Sequence, residues 1–346
     1  MRKLLILFFI VFGLVTPVNA MEFTAPTAPD GALEYMPEDT QSFGEGLWYV
    51  VQAAIEDWLP SVSEAGGVCL SLMAIACLVS LLESFSGGTK HVIQLSGILS
   101  VGLLLLGPAN SMIRLSTQTI SQLSEYGKLL LPVMSGALAA QGGVGTSTAL
   151  YSGTMLFSSA LTGLISNLLV PLVYVFLCLS VAVSALGESL VGNLRDFVKW
   201  LKTWCLKTVL YIFTGYIGIT KVISGSADAA ALKATKLVLS GTVPVVGGII
   251  SDASETILVS AGVMKSAAGV YGLLAILSIC IGPFIHIGIH YLMLKLTSAV
   301  CSVFGGKQLS GLMKDFSTAM GYTLALTGTV CFLLFVSIVC FMKGVS

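Results

Sequence analysis

Long apolar runs with short polar punctuation fill this chain from Gly66 to Met342. Gly66–Ser84 and Val92–Ile113 each come close to the ~20 apolar residues that cross a hydrocarbon core as a helix, and the turn Phe85-Ser-Gly-Gly-Thr-Lys-His91 joins them. Arg114–Lys128 is polar and predicts a helix lying along the membrane surface. Leu129–Gly145 is apolar again but short, carries Pro132 and Gly136, and ends in a glycine cluster. The pattern reads as a broken membrane segment. Spans are predicted at Ser147–Ser166 and Leu168–Leu186, and a further span at about Cys205–Ile223. Between them, Leu194, Phe197, Val198, Leu201 and Trp204 recur at helical spacing opposite Arg195, Asp196, Lys199 and Lys202, the pattern of a basic interfacial helix.

A similar order then recurs. Thr242–Ile250 is a second broken segment, with Pro244, Gly247 and Gly248; Ile257–Leu277 and Ile279–Leu294 are spans. Lys295–Asp315 is basic and interfacial, and Ala319–Met342 is the last span. Pro132 and Pro244 are 112 residues apart, as are Pro171 and Pro283, Arg195 and Lys307, and Lys202 and Lys314. This offset suggests an internal duplication of a kind common in membrane folds; chance recurrence among proline-dotted apolar runs is the alternative. If both broken segments cross the membrane there are ten crossings, and if both are re-entrant there are eight. Basic residues collect on the cytoplasmic side, and counting them favours ten slightly.

The beginning of the chain sets the orientation. Residues 1–20 read as a cleaved secretory signal: Arg2 and Lys3, an apolar core from Leu4 to Val15, then Val18-Asn19-Ala20. Residues 21–65 hold nine acids and no lysine or arginine, which places them outside the cytoplasm. Residues 24–40 are proline-rich and acidic and predict an extended, mobile lead-in. Leu47, Val50, Val51, Ala54, Trp58 and Leu59 fit either a helix on the outer surface or the approach to the first span. The predicted units are 1–20, 21–65, a two-helix unit with its interfacial segment at 66–128, and the two repeats at 129–239 and 240–346.

Composition agrees with the pattern. The chain of 346 residues is 55% apolar and 10% charged, with mean hydropathy +0.95; soluble domains are about 25% charged. The fold class is therefore all-α, a polytopic integral membrane protein of eight to ten transmembrane helices in a lipid bilayer. Seventeen basic residues balance 17 acidic ones, which excludes the basic footprint of a nucleic-acid binder. The eight cysteines lie in or beside apolar runs without a CxxC pair and read as buried small hydrophobes.

No enzyme or cofactor motif is present. Gly142-Gly-Val-Gly-Thr-Ser lacks the lysine of a phosphate-binding loop. His286 and His290 stand one turn apart, but no acid or cysteine accompanies them at ligand spacing. Polar packing between helices is therefore the expectation, with no metal site and no cofactor. The charges that draw notice are Asp252 and Glu255, three apart on one helical face, with Lys265 returning near that face ten residues on. With Pro244, Gly247 and Gly248 they form the candidate functional or channel-lining set, because ionisable groups at bilayer depth usually face protein or water. Solvated charges in a surface loop, or a partner-binding loop, are the other readings. Pro132 and Gly136 belong to the uncharged counterpart, and Arg195, Lys199 and Lys202 are the interfacial basic residues.

The signal peptide, the Leu129-Leu-Leu-Pro132 segment, and Val243-Pro-Val-Val-Gly-Gly248 followed by Ser251-Asp-Ala-Ser-Glu255 and Met264-Lys265 together resemble the stage III sporulation protein AE family. The resemblance spans about residues 45–340. It implies a non-enzymatic membrane component of the channel-like complex between mother cell and engulfed forespore, in the mother-cell membrane around the forespore. It further implies partners among the other membrane proteins of the same operon and in the forespore membrane. With no nucleotide motif in the chain, any ATP use would belong to an ATPase partner. A small-solute permease, with a site between the paired Pro/Gly segments, is the alternative that the residues themselves leave open.

Overall fold

The structure is a computed structural model that describes residues 25–37, 43–56, 58–187, 189–242, 247–304 and 306–343; the side chains of 30, 189, 218–242, 247–265 and 304 are outside the description. The signal segment 1–20 also lies outside the described residues. Every regular element described is helical: α1 (Asp30–Leu33), α2 (Phe43–Glu56), α3 (Trp58–Phe85), α4 (Lys90–Ala140), α5 (Val144–Leu164), a π-helical turn (Ile165–Leu169), α6 (Val170–Leu186), α7 (Ser189–Thr242), α8 (Gly247–Phe304) and α9 (Lys307–Lys343). Among these residues, five helical stretches are long and apolar enough to cross a membrane: Phe43–Phe85, Lys90–Ala140, Val144–Leu186, Ser266–Val303 and Lys307–Lys343.

Several helices run through places where the sequence predicts a change of direction. Arg114–Lys128 does not leave α4 for the membrane surface; it continues the helix and is buried at Ser116, Thr119, Ile120, Leu123 and Ser124. Its hydroxyls explain why. Thr117 and Thr119 donate to the carbonyls of Ile113 and Leu115 at 2.8 Å, while Ser116 pairs with Thr327 on α9 at 2.7 Å. Polar residues that satisfy themselves on their own helix or across an interface need not seek water. Pro132 likewise lies inside α4. The chain turns ten residues later at the glycines, where Gly142 has φ 90° and Ser147 Oγ donates to the carbonyl of Ser135 at 2.7 Å.

The two spans predicted over 147–186 form one helical run. It is interrupted only by the π turn that ends just before Pro171. Proline cannot donate to the carbonyl four residues back and its ring crowds it, and the wider π turn relieves both. The run ends at Gly187 (φ 68°), whose N–H donates to Val183 O at 2.9 Å, a left-handed helix stop that glycine adopts without steric cost.

Helix α9 sits at the centre, packed against α8, α4, α6, α5 and α7. Its contacts combine buried apolar residues such as Leu312, Phe316, Leu326 and Leu334 with hydroxyl bonds to its neighbours: Thr154 Oγ1 donates to Ser337 Oγ at 3.1 Å and Ser317 Oγ to Tyr291 O at 3.1 Å. The outside of the bundle is apolar, with Leu70, Leu78, Leu81 and Leu82 on α3 and Leu99 and Leu103 on α4 exposed. In water such a surface would be costly; against lipid tails it is the expected one.

The proline-rich lead-in is a further difference. Residues 25–37 pack onto the bundle through buried Ala28, Ala32 and Met36. Tyr126 donates to the Pro26 carbonyl at 3.4 Å. Small apolar residues every four positions, invisible against the acids and prolines, anchor this segment. On α2, Gly46, Val50 and Ala54 face inward while Trp48, Tyr49 and Ile55 face out.

Candidate functional site

Two polar regions stand out inside this apolar frame. The first lies where α3 packs against α8. Ser61 and Glu64, three residues apart, share a face of α3, as His286 and His290, four apart, share one of α8. Ser61 Oγ and His286 Nδ1 are hydrogen-bonded at 2.6 Å, and His286 Nε2 faces Glu64 Oε2 at 3.8 Å. The imidazole centroids are 5.0 Å apart. His290 Nδ1 donates to the His286 carbonyl at 3.2 Å. Its Nε2 is buried without a hydrogen-bond partner among the described residues, and the whole residue is 2% exposed. An unpartnered buried polar atom costs about 1–3 kcal/mol, so its retention calls for a reason.

This cluster opens onto two clefts of about 430 Å³ each, both lined by His286 and Leu115. The first also takes Glu34 and Tyr35 from the docked lead-in and Gln122 from α4. The second takes Asn110, Arg114 and Gln118. Glu64 is 59% exposed at its side chain and His286 26%, so the site runs from a solvent-accessible carboxylate to a sealed imidazole. Sequence spacing placed the two histidines together but could not supply the acid, which is 222 residues before His286. The one available signal was an acid one turn from a serine at the start of a span.

The second region joins α7 to α9. Arg195 Nη1 donates to Asp315 Oδ2 at 2.9 Å and its Nε to Asp196 Oδ1 at 3.1 Å. Burial works against the Arg195 charge, but the Asp315 and Asp196 carboxylates outweigh it and hold the pKa above its usual value. Two turns on, Lys202 is 1% exposed. Its Nζ lies 3.9 Å from the Phe176 ring centroid and 4.6 Å from that of Tyr322, with no hydrogen-bond partner among the described residues. The Tyr322 hydroxyl donates to the Lys202 carbonyl at 2.6 Å. Lys202 lies outside the five candidate spans. Burial, then the neighbouring Lys199 charge, pushes its ammonium down to about 7 against an upward pull from Asp315.

Of the interfacial basic set, then, Lys199 is exposed while Lys202 faces the core. The stripe Val198, Lys202, Leu206 faces inward, and Leu194, Phe197, Trp200 and Trp204 face outward, with Trp200 and Trp204 stacked at 6.0 Å. The residues that an aqueous reading would bury are the ones this helix turns to the surroundings.

The charged broken segment is placed less fully. Pro244 lies outside the described residues. Gly247, Gly248, Asp252, Glu255 and Lys265 lie on the first part of α8, which is helical from Gly247; their side chains are outside the description. In the uncharged counterpart, Pro132 is exposed and Gly136 half-buried, both on α4.

The sequence model of the family described as stage III sporulation protein AE matches residues 40–344. Stage III sporulation protein AE of Bacillus subtilis (strain 168) is 24% identical over 273 residues, which cover 78% of this chain and 68% of that protein. No solved structure matches this chain. The family match takes in all of α2 to α9, including both polar regions, and the chain belongs to the stage III sporulation protein AE family.

Proposed function

We propose that this protein is a non-enzymatic membrane subunit of the channel-like complex joining mother cell and engulfed forespore, sited in the mother-cell membrane around the forespore. The observation that carries the reading is the family match over residues 40–344, within which all five candidate spans fall. The partners are the other membrane proteins of its operon and a forespore membrane protein; any ATP use would belong to an ATPase partner, since no nucleotide motif is found in the sequence. The acidic residues 21–65 face the space between the two membranes.

The duplication is part of this reading. What supports it is that a long helical run containing a proline, a short break and then another long helix occur in sequence twice, at Val144–Leu186 with α7 and at α8 with α9. In the charged copy, Pro244, Gly247, Gly248, Asp252, Glu255 and Lys265 are the set that would meet a partner or line a water path; Pro132 and Gly136 mark the uncharged copy.

The test has two arms. In an endospore-forming host lacking its own copy, this chain expressed in the mother cell alone should restore late forespore reporter expression and co-purify with the other membrane proteins of the operon. Purified protein alone in liposomes should take up no small solute. Selective uptake there, lost in Asp252→Asn, would overturn the subunit reading in favour of a permease.

A further inference from the structure

We propose that Glu64, His286 and His290 form a binding site for a divalent transition-metal cation, with zinc(II) the best match to the ligand set. One ligand atom from each residue can be chosen such that all three lie within 4.8 Å of one another. Two imidazoles and a carboxylate suit zinc and its first-row neighbours, whereas magnesium and calcium favour oxygen ligands alone. Tetrahedral zinc with ordinary bond lengths holds neighbouring ligand atoms about 3.3 Å apart. The 3.8 Å between Glu64 Oε2 and His286 Nε2 is therefore closed by a small rotation of the exposed glutamate.

The hydrogen bonds around the cluster carry the argument beyond proximity. A backbone carbonyl only accepts, so the 3.2 Å contact from His290 Nδ1 to His286 O puts the proton of neutral His290 on Nδ1. That leaves Nε2 as a bare lone pair, and this is the buried nitrogen without a partner. Ser61 Oγ at 2.6 Å does the same for His286 when it accepts from Nδ1, turning Nε2 toward Glu64. Metal-bound histidines are oriented by this kind of outer hydrogen bond, to a carbonyl or a hydroxyl. Among the described residues Glu64 forms no ion pair with lysine or arginine, and its one charged contact is His286. A cation placed between the three would give the buried nitrogen its partner and the carboxylate its counter-charge.

The cleft beside Ser61 and His286 provides an entry path, and three protein ligands leave a fourth position for water or an exogenous group. The metal would tie α3 to α8 across 222 residues of chain. This inference is independent of the channel reading; it stands or falls whether or not the protein serves such a complex.

The experiment uses tag-free full-length protein in detergent, stripped with chelator, titrated with zinc against a chromophoric chelator and assayed for bound metal after desalting. Wild type should retain about one zinc per chain, as a three-ligand site with an open position does. Glu64→Gln and His286→Gln should each weaken binding tenfold or more, whereas His91→Gln, which alters the third histidine of the chain, should leave it unchanged. His290→Ala should abolish binding; if that variant does not stay monodisperse, the decision rests on the two partly exposed positions. Substoichiometric zinc in wild type, or wild-type affinity in both Glu64→Gln and His286→Gln, would overturn the proposal.

Discussion

Among the described residues, Lys202 is a buried ammonium without a hydrogen-bond partner. Aromatic faces at 3.9 and 4.6 Å offset only part of the cost of removing an ammonium from water. Its pKa falls from about 10.4 in the unfolded chain to about 7 in the folded one. Between those values the unfolded state binds more protons, so stability should rise with pH from about 7 toward 10, by up to about 1.4 kcal/mol per unit. Below about pH 7 both states are protonated and the penalty is constant. Lys202→Met keeps the volume and removes the charge. It should raise the unfolding midpoint in detergent at pH 6.5, and the difference from wild type should shrink by pH 9.5. A difference that stays equal at both pH values would show that Lys202 is not desolvated as described.

Among the elements, the described part of α7 makes two interfaces that can be tested. A Cβ added at Gly153 on α5 would collide with the Tyr216 ring on α7, whose hydroxyl donates to Ala149 O at 2.6 Å. Gly153→Val should cost about 1–3 kcal/mol by overpacking and lower the thermal midpoint, and adding Tyr216→Ala should recover part of the loss. At the other interface, Arg195 and Asp315 form a tie shielded from solvent on both sides, at 24% and 13% exposure. A double-mutant cycle with Arg195→Met and Asp315→Asn should give a coupling of about 1–2 kcal/mol. Additive single changes would mean that the two helices are held by packing alone.

For the whole molecule, orientation and function meet. With residues 21–65 outside and α3, α4 and the Val144–Leu186 run each crossing once, Lys199 would face the cytoplasm, so Lys199→Cys should resist a membrane-impermeant thiol reagent applied from outside and react once the membrane is opened. Labelling from outside would overturn that orientation. Helix length bears on this: the 43-residue run from Val144 to Leu186 measures about 65 Å at 1.5 Å per residue, roughly twice a hydrocarbon core. The same holds for α4. A helix this long exceeds what one crossing of a hydrocarbon core needs.

Much of this was legible from residue order. Bilayer-length apolar runs can satisfy their backbone only as helices, so all-helical membrane character follows from composition and pattern. The Pro-Val-Val-Gly-Gly to lysine block pointed to the family because short motifs survive as strings of residues. What residue order could not show was which polar groups meet. Arg114–Lys128 is polar as a string yet stays in α4, because Ser116 finds Thr327 and the threonines find their own carbonyls. Lys202 belongs to a basic face by spacing yet points inward, since the aromatic side of α7 is the one turned to the surroundings. His286 and His290 were visible as a pair, but their acid comes from another helix. Periodicity is a property of one helix and is written in its sequence; partnership across helices depends on how they pack, and only the tertiary structure decided it.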